Sequence, residues 1–140
     1  MLGPRQCELI QAGFEHVRPI KERAGQMFYE ELFVIAPGLA DLFVGVSIMT
    51  QGGKLMQVLG YAVDHLNDWS GLTAQLEQLG ARHAGYRVTP DHYATVGAAL
   101  IATLKKALGA ELSQEGEEAW IEFYTKLSAA MLKGARDATA

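Results

Sequence analysis

Leu72, Leu76 and Leu79 recur at helical spacing, and the next position on their stripe is His83. On a helix of 3.6 residues per turn these four lie within a narrow arc of one face. Gly85 and Tyr86 come next, then Thr89-Pro90, a start signal for another helix. The pattern specifies a helix that aims its apolar stripe at the core and ends the stripe in an imidazole. A core row usually closes with another leucine there.

The rest of the chain is punctuated in the same way. A first helix is expected from Pro4, which suits an opening turn, to about Val17. Pro19 opens a second, with Ile20, Ala24, Met27, Phe28, Leu32 and Ile35 apolar, ending near Ala36-Pro37 because a residue before proline avoids the helical region. Pro37 to Phe43 reads as a short helix or turn. Ser47 caps a helix from about Ile48 to Leu66, with an inner face of Gln51, Leu55, Val58, Leu59, Ala62 and Leu66. The His83 helix starts near Gly71. Pro90 to about Leu108 forms the next, on a stripe of Tyr93, Val96, Leu100 and Leu104. Ser113 caps the last, with Trp120, Phe123, Tyr124, Leu127 and Met131 inward, and residues 134–140 are expected to fray. No strand-like alternation competes with these stripes. The expected fold is all-α, with roughly six to eight helices around one core in a single domain over residues 1–140.

Composition narrows the partners. The chain is 140 residues long, 49% hydrophobic and 20% charged, with a net charge of −4, so it suits one soluble domain and argues against non-specific nucleic-acid binding. A single cysteine, Cys7, excludes an internal disulfide and any structural zinc site that needs two cysteine ligands. No apolar run is long enough to span a membrane and the N-terminus lacks a signal pattern, so a cytoplasmic protein is expected.

Two other stripes also turn a polar group inward: Tyr29, with Gly25, Leu32, Phe33 and Ala36 on its face, and Gln51 at the head of its apolar row. Burying an unpartnered hydroxyl or amide costs on the order of 1–3 kcal/mol. Any one of Tyr29, Gln51 and His83 alone reads as a hydrogen-bonded core residue; all three together point to a shared ligand. No strand-turn-helix nucleophile elbow or glycine-rich phosphate loop is present, and Asp64-His65 and Asp91-His92 lack the spacing of a carboxylate-bridged metal pair. His16, His65 and His92 read as solvated. A lone imidazole suits a haem, whose porphyrin already supplies four iron ligands and leaves the protein one axial position to fill.

Several segments then fall in a familiar order and spacing: Phe28-Tyr29-Glu30-Glu31-Leu32-Phe33, Pro37 to Phe43, Gln51-Gly52-Gly53-Lys54-Leu55-Met56, Leu79-Gly80-Ala81-Arg82-His83, His92-Tyr93-Ala94-Thr95-Val96-Gly97, and Ala119-Trp120 with Tyr124. Over nearly the whole chain they resemble a bacterial single-domain globin, of the kind seen in Vitreoscilla-type haemoglobins, flavohaemoglobin globin domains and the neuroglobin-like globins of methanotrophs. The resemblance implies a globin fold around one haem b pocket. It makes His83 the iron ligand, Phe43 the aromatic wedged on the haem, and Tyr29 and Gln51 the distal donors to a bound gas, with Leu55 one turn on. Leu79 lines the slot, and Lys54 and Arg82 are candidates for the propionates, though solvated charge is the plainer reading of both. Each charge-assisted hydrogen bond to a gas would contribute roughly 1.5–3 kcal/mol, so two donors imply tight, slowly released dioxygen. Glutamine ligates iron poorly, which implies an open or water-bound sixth position.

The chain departs from the family pattern in two places. The tyrosine that supports the ligand histidine matches Tyr93, but the partner glutamate, fifteen residues after Trp120, is Ala135. That weakens the electron push behind O–O cleavage. Gly52-Gly53 is unusual inside a helix and suggests a mobile start to the distal helix. The implied function is reversible binding of dioxygen, for storage or transport, with carbon monoxide and nitric oxide as further ligands. Nitric oxide dioxygenase with an external reductase, which would serve nitric oxide detoxification, is the enzyme alternative. A gas sensor or a haem-free interaction domain is the other. The expected assembly is a monomer or weak homodimer, without nucleic acid or membrane.

Overall fold

Ser47 shows how closely the local signals are obeyed. Its side-chain oxygen accepts the Thr50 backbone N–H at 3.2 Å, and a helix begins at the next residue. Ser113 does the same for the last helix, accepting from Gly116 N at 3.0 Å. The computed structural model describes residues 2–84 and 89–139. These form α1 (Pro4–Val17), α2 (Lys21–Ile35), α3 (Ile48–Asp64), α4 (Trp69–Ala84), α5 (Pro90–Leu108) and α6 (Gln114–Thr139), with 3₁₀ turns at Arg18–Ile20, Pro37–Phe43 and Gly109–Glu111. There is no strand among the described residues, so the expected all-α architecture holds.

Helix α4 packs chiefly on α6, while α2 packs on both α3 and α5, and α1 lies against α6. Helices α3 and α4 are not packed along one another. Ile10, Trp120 and Phe123 are fully buried at the centre, with the Trp120 ring 6.4 Å from Phe14 and 5.6 Å from Phe123.

Four expectations need correction. The tail does not fray at residue 134: α6 continues to Thr139, and Gly134 is buried against α4. Lys133 ties that turn down, reaching Glu77 at 3.1 Å and Asp137 at 3.0 Å. Of the expected inner face of α3, Leu59, Ala62 and Leu66 are buried, but Gln51, Leu55 and Val58 are only half-buried, and Gly52, Met56 and Val63 are buried instead. On α4 the expected Leu72 and Leu76 are buried, together with Gly80, while Leu79 and His83, further along the same stripe, are half-buried. In both helices a glycine lets the backbone of a neighbouring helix approach closely. Ile20 and Ile35, at the ends of the α2 stripe, are also exposed.

Gly52, which suggested mobility, has a packing role. A Cβ on Gly25 would stand 2.8 Å from Gly52 Cα, and one on Gly52 would stand 3.1 Å from Gly25 Cα. Only two glycines permit so close a crossing of α2 and α3.

Candidate functional site

That crossing sets the position of two of the three inward polar groups. Tyr29 lies one turn beyond Gly25 on α2, and Gln51 directly precedes Gly52 on α3. Tyr29 is buried, with its ring 5.0 Å from Phe28, 6.0 Å from Phe33 and 5.3 Å from Phe43, the last edge to face. Phe33 and Phe43 pack on each other at 5.7 Å, so the 3₁₀ turn delivers Phe43 into an aromatic cluster with Tyr29. Burial pushes the Tyr29 hydroxyl up to about 12, which keeps it a neutral hydrogen-bond donor at ordinary pH. Gln51 is half-buried, and Leu55 lies one turn further along, also half-buried.

His83 ends α4. Its Nδ1 lies 2.9 Å from the Leu79 carbonyl oxygen, and since a carbonyl only accepts, Nδ1 carries the proton. A neutral imidazole with its proton on Nδ1 presents a lone pair on Nε2, the form that binds a metal. The Leu79 carbonyl is a site component that side-chain patterns do not reveal.

Tyr93 lies in the first turn of α5. Its hydroxyl is buried and has no hydrogen-bond partner among the described residues, while its backbone carbonyl accepts from the Tyr124 hydroxyl at 2.6 Å. Position 135, where the resemblance places a carboxylate beside Tyr93 and the ligand histidine, is Ala135. Burial raises the Tyr93 and Tyr124 hydroxyls as well.

Lys54 and Arg82 are exposed and form no ion pair among the described residues. His16 and His65 are exposed, the first 3.6 Å from Glu111 and the second stacked on Tyr61, while His92 accepts the Thr89 backbone N–H at 3.0 Å. No group of three or more His, Cys, Asp or Glu among the described residues is placed to hold a metal ion. No described helix is long and apolar enough to cross a membrane. Gly85 and Tyr86, part of the turn read from the sequence, lie outside the described residues.

The site thus defines an all-α protein with one metal-competent imidazole on α4 and a phenol and an amide on the crossed pair α2 and α3. The globin family profile matches residues 26–131, and the chain belongs to the globin family, a family of haem proteins. It is 27% identical to a neuroglobin of Tetraodon nigroviridis, over 95% of this chain and 92% of that protein. Similarity to neuroglobin-2 of Oncorhynchus mykiss is 29% over the same shares. A flavohemoprotein of Bordetella pertussis is 30% identical over 91% of this chain, but the chain spans only 32% of that protein's length.

Proposed function

We propose that this chain is a dioxygen-binding globin in which His83 holds the iron of a haem b and Tyr29 and Gln51 face the gas. The observation that carries the reading is the hydrogen bond from His83 Nδ1 to the Leu79 carbonyl, the arrangement in which a neutral imidazole offers Nε2 to a metal.

The residues present fit such a group. Leu55 on α3, Leu79 on α4 and Phe43 are apolar yet only half-buried, on elements that leave α3 and α4 unpacked along one another. A flat apolar macrocycle is the kind of partner such faces accept. The Tyr93 hydroxyl is a buried donor with no acceptor among the described residues. Haem, when bound, supplies an iron position that takes dioxygen, carbon monoxide or nitric oxide.

The chain's own residues tune that position. His83 would hold the iron through Nε2 and supply electron density to it. Tyr29, neutral because it is buried, donates its proton to a gas that draws negative charge, and the Phe33 and Phe43 rings restrict its motion. Gln51 adds an amide donor from the first turn of α3, and α3 carries no histidine that would compete for the iron. Exposed Lys54 and Arg82 are the cations available to the propionates.

Similarity to flavohemoproteins favours a second reading, nitric oxide dioxygenase served by an external reductase. Ala135 weighs against it, because the carboxylate that would strengthen the push from His83 is missing. Repeated cycles of dioxygen addition and removal separate the two. A ferrous spectrum recovered each cycle supports reversible binding. Sustained nitrate formation from nitric oxide, with a reductant, supports the enzyme. A chain that binds no gas in either form contradicts both.

A further inference from the structure

Met49 stands apart from the other described methionines. It is 78% exposed, whereas Met56 and Met131 are only 4% and 6% exposed and Met27 is half-buried. It lies in the first turn of α3, between the Ser47 cap and Gln51. That turn is short of acceptors. Ser47 takes the Thr50 N–H on its side chain at 3.2 Å and the Gln51 N–H on its carbonyl at 3.0 Å. The Ile48 and Met49 N–H groups have no acceptor among the described residues, and the turn carries no acid.

We propose that Met49 is a site of modification by peroxide, and that its sulfoxide caps α3. The thioether sulfur attacks one oxygen of hydrogen peroxide. The O–O bond breaks, an S–O bond forms, sulfur gives up two electrons, and the other oxygen leaves as water with both hydrogens. In a core the added oxygen disrupts packing. At Met49 the sign is reversed. The exposed side chain has little packing to lose, and the oxygen it gains places partial negative charge at the positive end of α3. That oxygen stands as many bonds from Cβ as the Oε atoms of a glutamate, a residue favoured in a first helical turn. Helical side chains lean toward the N-terminus, which brings it within reach of the Ile48 and Met49 N–H groups. The turn steadied in this way is the one that bears Gln51. The inference does not depend on what the chain binds.

The test treats the full chain with dilute hydrogen peroxide, any bound iron being kept ferrous under carbon monoxide so that peroxide meets the thioethers alone. Tandem mass spectrometry of its peptides assigns each added oxygen to a residue. Met49 is expected to be converted first, with Met27, Met56 and Met131 still reduced. Amide hydrogen exchange at Ile48 and Met49, followed by NMR, is then expected to slow several-fold, and the Tm to rise by a few degrees. Met49→Leu under the same treatment is expected to show neither change. Met49→Gln, which carries a carbonyl oxygen at the same distance, is expected to slow exchange without peroxide. Oxidation of Met27, Met56 or Met131 as early as Met49 overturns the proposal. So does a Tm that falls or stays level once Met49 carries its oxygen, or unaltered exchange at Ile48 and Met49, or an equal response in Met49→Leu.

Discussion

Gly25 and Gly52 meet backbone to backbone, with a Cβ on Gly25 standing 2.8 Å from the Gly52 carbonyl oxygen. That meeting sets how closely α2, which carries Tyr29, approaches α3, which carries Gln51. Gly25→Ala is expected to lower stability by about 1–3 kcal/mol, or roughly 4–12 °C in Tm, as overpacking at a rigid contact does. Gly53 has open space around it, so Gly53→Ala is expected to raise stability by up to about 1 kcal/mol through helix propensity. Thermal melts of both variants check this. A neutral Gly25→Ala would mean that the helices separate freely.

Tyr29→Phe removes the phenol and keeps the ring that packs on Phe43. The expected result is faster dioxygen release, by roughly 10-fold or more, for a charge-assisted bond of about 1.5–3 kcal/mol. Stopped-flow displacement of dioxygen by carbon monoxide measures it. An unchanged release rate would remove Tyr29 from the gas-binding role.

The buried tyrosines make the fold sensitive to alkali. An unfolded tyrosine ionises near pH 10, whereas Tyr29 in the fold is pushed up to about 12. The unfolded state loses its proton first, so stability is constant below about pH 10 and falls as pH rises toward about 12. Tyr29 alone accounts for a loss of about 2–3 kcal/mol over that window, and Tyr93 and Tyr124 act in the same direction. Denaturant melts at about pH 9 and about pH 11.5 compare the two ends of it. Tyr29→Phe is expected to flatten the difference.

The helices and their starts were legible because proline, serine and apolar period act locally: Ser47, Ser113 and Pro90 mark starts that the fold uses. The globin family was legible too, from motifs whose mutual spacing spans the chain. Which residues face the core was less so. Hydropathy ranks Leu55 and Leu79 above Gly52 and Gly80, yet the glycines are buried and the leucines only half so. Close backbone approach is decided by the partner helix, about which a local pattern says nothing. For the same reason the Leu79 carbonyl and Gly134 escaped notice, and the tail was expected to fray where Gly134 and Lys133 in fact hold it to Glu77. Tyr93 was recognisable as a residue but not in its state, because burial of its hydroxyl without a partner among the described residues is decided by tertiary packing.

The central claim, that His83 is the one protein ligand to a haem, is tested most directly by titrating hemin into the full chain and into His83→Ala. The unsubstituted chain is expected to develop a sharp Soret band that saturates at one hemin per chain. His83→Ala should keep its helical circular dichroism, since His83 is only half-buried, and lose that band, with exogenous imidazole restoring it. An unsubstituted chain with no saturable Soret band, or a His83→Ala chain with an unaltered one, would contradict the account.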